Sequence, residues 1–254
     1  MPSGILKVLR QLDMEPEHFE ACHDVLKQTL VLLNYNNRGI PTFTDHGPNH
    51  TLGVLKFIVE IKNQYPVLLS SEDKMILAIA AIFHDTGCIK ERDNHNERSV
   101  LIVKMPQFSI VRGVLTREAY RFLQHVIRAH SSVFDLLTLR NDGTNDSRLP
   151  VLCCLFRLAD ECDISSNRIP ILILEIMQKF KVLSRKSLNI WKSHLEIEKI
   201  YLEGTKVIVQ AYDEKKAKHW LKKLNKETKI ISKVLVSYDK PRITVEPKIV
   251  PRPL

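Results

Sequence analysis

The spacing of apolar and polar residues predicts a chain that is helical for most of its length and changes character near residue 194. From Pro16 onward Phe19, Cys22, Leu26, Leu30 and Leu33 recur every three or four positions, which predicts a helix ending near Asn34 to Gly39. A loop, Gly39 to Gly47, follows. Pro48 suits a first helical position, and Leu52, Leu55, Ile58 and Val59 carry that helix to about Lys62. Ser71, Glu72 and Asp73 form an N-terminal cap for the next helix, whose apolar run reaches His84-Asp85 and stops at Gly87. The N-terminal segment, Met1 to Asp13, also has helical spacing, and further helices are predicted over 96–104, 116–129, 149–162, 170–180 and 186–194.

Beyond Trp191 the period shortens. Residues 196–203 and 206–212 alternate like strands around Gly204-Thr205, which predicts a hairpin. A basic amphipathic helix over 214–234 and a proline-broken extended tail with Ile243 and Val245 complete the chain. The fold class expected is mainly α: a helical body, 1–194, with a small α+β appendage, 195–254.

Composition narrows this modestly. With 254 residues, 44% hydrophobic and 26% charged, the chain is long enough for a substantial core and ordinary for a globular protein. Its longest apolar run, Ile76 to Phe83, falls far short of the roughly 20 residues that cross a bilayer, so no membrane span is expected. The N-terminus lacks a signal peptide's apolar block, and the five cysteines (22, 88, 153, 154 and 162) contain no C-x-x-C pair. Both observations point to a cytoplasmic protein with free thiols. A net charge of +9, with lysines crowded into the last third, favours an anionic partner, although such a run is also an ordinary solvated helix face.

The residues that carry chemistry fall at predicted helix ends: Asp45-His46-Gly47-Pro48-Asn49-His50, His84-Asp85, His95-x-x-Arg98-Ser99, Arg128-Ala129-His130 and Arg157-Leu-Ala-Asp160-x-x-Asp163. Neutral imidazole and carboxylate are ligands for a borderline transition metal, and helices can aim them at one point. An aliphatic helix ending in a buried His-Asp pair is costly unless the charge is paired or metal-bound. No G-x-x-x-x-G-K-[ST] loop, H-E-x-x-H helix or G-x-S-x-G elbow occurs, which disfavours P-loop, zincin and serine-hydrolase chemistry.

The ordered set His50, His84-Asp85 and Asp160 resembles the HD-domain superfamily of metal-dependent phosphohydrolases over about residues 40–165, and its pattern looks most like bacterial members of that group. The resemblance implies an HD-domain helical bundle in which His50, His84, Asp85 and Asp160 bind a divalent metal. It further implies that His95 and His130 complete a second site, with the alternative that one or both are surface histidines. His125 competes with His130, but five residues along a helix turn the side chain by about 500°, so the two cannot share a site. One or two ions of manganese, iron, cobalt, nickel or zinc are the expected cofactors, with Asp85 bridging them and a water between them attacking phosphorus.

Smaller roles stay open. His46 contacts substrate or is a plain loop histidine; Asp45 is placed to orient an imidazole; Asp163 is an outer acceptor or a salt-bridge partner of Arg157 or Arg168. The family commonly continues the doublet as His-Asp-x-Gly-Lys, yet Cys88 stands at the lysine position here. Phosphate contact is therefore expected from Lys90, Arg98 or Arg128. The activity expected is hydrolysis of a nucleotide or another phosphate mono- or diester, the partner a small anionic phosphate-containing substrate. Nucleic acid is possible but not favoured, so the alternatives are a nuclease or a non-catalytic, metal-stabilised binding module. The substrate, the metal and the oligomeric state are not legible.

Overall fold

The computed structural model describes residues 2–40, 42–141 and 147–252. The fold is mainly α, with eleven helices and one three-stranded sheet among the described residues. The helices are α1 (Pro2–Gln11), α2 (Pro16–Gly39), α3 (Pro48–Gln64), α4 (Ser71–Phe83), α5 (His95–Val103), α6 (Ser109–Val114), α7 (Arg117–Ala129), α8 (Arg148–Glu161), α9 (Ile171–Lys179), α10 (Arg185–His194) and α11 (Glu214–Val236). Strands β1 (Ile197–Glu203) and β2 (Lys206–Ala211) flank α11 on its N-terminal side, and β3 (Thr244–Ile249) follows it. None of the described helices is long and apolar enough to cross a membrane.

Two helices are almost entirely buried. In α4 every residue from Met75 to Phe83 is inaccessible, and in α8 the run Leu149 to Ala159 is buried throughout. Such all-round apolarity makes them the axis on which the others pack. The start of α4 is fixed by a capping box, in which the Ser70 hydroxyl accepts from the Asp73 amide while the Asp73 carboxylate accepts from the Ser70 amide. The cap is thus one residue earlier than the sequence predicted. The short α6 was not predicted at all: its six residues hold no complete apolar period.

The hairpin β1–β2 is antiparallel, and β3 pairs with β2 in parallel. A parallel neighbour needs a crossover, and α11 supplies it. The expected extended tail is therefore a paired strand. One continuous hydrophobic core joins Ile5 and Leu9 of α1, Met75 to Phe83 of α4, the apolar residues of α8 from Leu149 to Ala159, Val207 and Val209 of β2, and Ile231 and Leu235 of α11. A second small cluster, Ile169, Leu174 and Trp191, holds α9 against α10.

Candidate metal centre

The buried helices deliver their functional groups at their ends. His84 is the C-terminal cap of α4 with Asp85 next to it, and Asp160 sits in the last turn of α8. His50 is the third residue of α3, His95 the first of α5 and His130 the C-terminal cap of α7. Pairings between elements hold these ends together. The Ser99 hydroxyl on α5 donates to the His84 carbonyl at 2.6 Å and accepts from the Gly87 amide at 2.9 Å. A Cβ at Gly87 would lie 2.0 Å from the His95 carbonyl, so only glycine permits this approach.

The side chains meet as two groups that share Asp85. His50, His84 and Asp85 form one, and Asp85, His95 and His130 the other; within each, one ligand atom per residue lies within 4.8 Å of the rest. Asp85 divides its oxygens between them. Its Oδ2 is 3.4 Å from His50 Nε2 and 3.3 Å from His84 Nε2, whereas Oδ1 is 3.3 Å from His95 Nε2 and 3.7 Å from His130 Nε2. Asp160 Oδ1 joins the first group, 3.0 Å from His50 Nε2 and 3.5 Å from His84 Nε2.

Hydrogen bonds fix which nitrogen carries the proton. His84 Nδ1 lies 3.1 Å from the Ala81 carbonyl, His95 Nδ1 2.7 Å from the Arg92 carbonyl and His130 Nδ1 2.6 Å from the Ile127 carbonyl. A carbonyl oxygen only accepts, so each Nδ1 is protonated and the neutral ring leaves Nε2 as a lone pair. His50 is oriented by a carboxylate instead: its Nδ1 donates to Asp163 Oδ2 at 2.6 Å. The Nε2 atoms of His95 and His130 then face each other at 2.7 Å, and those of His50 and His84 at 3.0 Å. Lone pairs at that separation repel unless a cation lies among them, either a proton or a metal. The residues therefore fit a divalent ion with mixed nitrogen and oxygen ligands.

Electrostatics agree. Burial and Arg168 push the His50 pKa down, but bonds to Asp160, Asp163 and Asp85 prevail and lift it to about 10. Burial likewise opposes His84, yet Asp85 and Asp160 raise it to about 9. At His130 burial prevails and lowers the pKa to about 4. Burial would raise Asp85 and Asp160, but the neighbouring histidines, with Arg92 at Asp85, keep both carboxyls well below the usual range. Without metal, the centre holds protons on its first pair of imidazoles beside ionised carboxylates.

A cavity of about 1000 Å³ opens over this centre, lined by His46, His50, Asp85, His95, His130 and Asp160 on one side and by α10 and α11 on the other. The His46 ring is buried, 5.5 Å from the His50 ring, so it lies at the centre's edge. Asp45 accepts from the Gly47 amide at 2.8 Å and shapes the entry into α3; the carboxylate on the His50 imidazole is that of Asp163. Asp163 also lies 3.6 Å from Arg168 Nε, so both roles weighed for it coincide. Arg157 is not its partner: its buried guanidinium donates to the Ala129, Ser131 and Phe134 carbonyls and closes the C-terminal end of α7.

The three cations expected to meet phosphate are not brought to the cavity. Lys90 is exposed and pairs with Glu91 at 3.6 Å. Arg98 donates to the Gly87, Glu91 and Asp93 carbonyls and braces the loop between α4 and α5. Arg128 makes a two-pronged contact with Glu97, at 3.0 and 2.9 Å, which ties α7 to α5 where His130 and His95 meet. The cation beside Asp85 is Arg92, which the sequence reading passed over: its Nη1 is 3.0 Å from Asp85 Oδ1 and 3.6 Å from Cys88 Sγ, and it lines the cavity. Burial pushes the Cys88 thiol far up, so it stays protonated and is no thiolate ligand.

A family model described as HD-CE matches residues 40–230. No curated protein and no solved structure matches the chain.

Proposed function

The chain belongs to the HD-CE family, and from that premise we propose that it is a metal-dependent phosphohydrolase that cleaves a phosphate ester in the cavity over the His–Asp centre. The observation that carries the reading is the split of Asp85 between two pairs of facing imidazoles. His50, His84, Asp85 and Asp160 would hold one divalent ion, and Asp85, His95 and His130 a second. When bound, such ions acidify water and neutralise charge on a phosphoryl group.

The remaining work falls to the chain's own groups. Asp163 and three backbone carbonyls hold each imidazole by its Nδ1, so that every Nε2 points inward before any ion arrives. Arg92 neutralises Asp85 Oδ1 and presents a planar fork of donors to the cavity, suited to phosphate oxygens. Cys88 removes a charged side chain from the doublet's own loop, and Arg92, one turn on, takes its place. Of the lysines on α11, only Lys223 lines the cavity, which supports a small substrate over a nucleic-acid strand.

The test is metal reconstitution of the purified, chelator-treated protein with manganese, cobalt, nickel or zinc, followed by hydrolysis of a panel of phosphate mono- and diesters. Metal uptake with ester hydrolysis that disappears on chelation is the expected result. Protein that takes up no metal, or takes it up and cleaves no ester, would refute the proposal.

A further inference from the structure

Large apolar side chains that stay exposed are scattered in ones and twos over most of the described residues, which is ordinary for a protein surface. Residues 171–182 break that pattern. Ile171, Leu172, Ile173, Ile176, Phe180 and Val182 are each between 42% and 70% exposed. At those exposures they present roughly 600 Å² of apolar surface, the most that a typical monomer leaves in one patch. A turn of about 100° per residue places Leu172, Ile173, Ile176 and Phe180 within an arc of about 100° along α9. Leu174 lies about 150° from the middle of that arc, and it is the buried residue that packs with Trp191. A helix with apolar residues on both faces is normally buried on both, yet α9 is covered on one.

The uncovered face is complementary to itself. Glu175 and Lys179 follow one flank of the stripe, one helical turn apart. A second copy laid antiparallel on the stripe, with a two-fold axis at Ile176, sets Leu172 against the partner's Phe180. It also brings Glu175 to within about 3 Å, measured along the helix axis, of the partner's Lys179. The two-fold makes that pairing reciprocal, so two ion pairs close one edge of the seam. Covering the patch on both copies removes roughly 1,200 Å² from water, the size at which specific, stable interfaces begin. An anionic surface would meet Glu175 with like charge, whereas a second copy meets it with a cation.

We infer that α9 is a self-association face, and that the chain forms a two-fold dimer in which the two α9 helices pack antiparallel. The inference does not depend on the hydrolytic reading, but it bears on the same cavity. Leu174 packs with Trp191, and Trp191 lines the cavity together with Lys186, Ser187 and Ile190 of α10. The seam therefore lies behind the wall that faces the metal centre, and each subunit braces its partner's wall through α9.

The test is sedimentation velocity of the intact chain from about 1 to 100 μM, which should show particles of two chains as concentration rises. Ile176→Glu, at an exposed position that a folded monomer tolerates, should sediment as a single chain throughout, with circular dichroism confirming the fold. Glu175→Lys and Lys179→Glu each set like charges across the seam, and each should weaken the dimer about tenfold. An equimolar mixture of those two variants should recover the parent's affinity, because the mixed dimer again sets opposite charges face to face. Lys181 and Arg185 follow the stripe, which makes an anionic lipid surface the competing occupant. A single-chain mass at every concentration, with or without binding to vesicles of phosphatidylserine and phosphatidylcholine, overturns the inference. So does a dimer that Ile176→Glu leaves intact, or a mixture that associates no more tightly than its components.

Discussion

Replacing Gly53 by alanine sets two physical expectations against each other. Gly53 lies one turn beyond His50 on α3, and a Cβ there would be 2.1 Å from Asp163 Oδ1 and 2.4 Å from its Cγ. Ordinary contact begins near 3.4 Å, so the carboxylate must retreat by about 1 Å or more. That retreat breaks the 2.6 Å bond to His50 Nδ1, which is what orients this imidazole. Helix propensity alone favours alanine over glycine by about 1 kcal/mol. Losing a buried hydrogen bond to a charged group costs about 1.5–3 kcal/mol, so Gly53→Ala should destabilise the metal-free protein by about 0.5–2 kcal/mol. Because the bond orients a ligand, metal affinity should also fall about 10–100-fold. Urea denaturation of chelator-treated protein measures the first effect, and competition with a metal indicator the second. A variant at least as stable as the parent, with affinity unchanged within about threefold, would show that Asp163 does not position His50.

Asp85→Asn replaces the carboxylate shared by both groups of imidazoles, so metal content measured by elemental analysis should fall to background; full retention of two ions would exclude the bridging role. Metal uptake near pH 7.5 should release about one to two protons per chain, because His50 and His84 are held protonated up to about 10 and about 9; calorimetry in buffers of different ionisation enthalpy counts them, and a count of zero contradicts the assigned charge state. With folded pKa values above the ordinary 6.5, these two imidazoles contribute fully below that pH, so chelated protein should lose stability steadily from pH 6.5 to about 10. Metal-loaded protein, its protons displaced, should not show that loss. Arg92→Ala should lower ester hydrolysis about 100-fold with metal content intact, whereas Lys90→Ala, on the surface, should shift stability by no more than about 0.5 kcal/mol and leave turnover unaltered; the reverse ranking in a side-by-side assay would return the phosphate contact to Lys90.

The helices were legible because their apolar residues recur at helical spacing and their ends carry proline or glycine, as at Pro48 and Gly87; the cap of α4 was placed at Ser71, one residue late, because two serines stand side by side there. The imidazoles and carboxylates of the centre were legible for a related reason: polar residues at the ends of apolar helices have few inexpensive alternatives to converging. Arg92 was not, because nothing in its local pattern separates it from Lys90 two positions earlier; the loop braced by Arg98 decides which of the two turns inward. Nor were His194 and Trp220. They reach the cavity through the packing of α10 and α11 against each other, a contact that no short-range spacing encodes. The tail was read as extended, but its pairing as β3 was not, because Pro247 interrupts its run and its partner strand lies beyond a whole helix.

Every ligand of the centre stands at a helix terminus, and termini are the parts of a folded chain that open at least cost. Here the fraying ends are laced: Arg157 threads three carbonyls after α7, Arg128 clasps Glu97, and Ser99 bridges His84 and Gly87. Amide exchange at Gly87 and Ser131 should therefore be slow in the chelated state and slower still once ions bind, which makes those two amides local gauges of occupancy while the interior of α4 exchanges only with global unfolding.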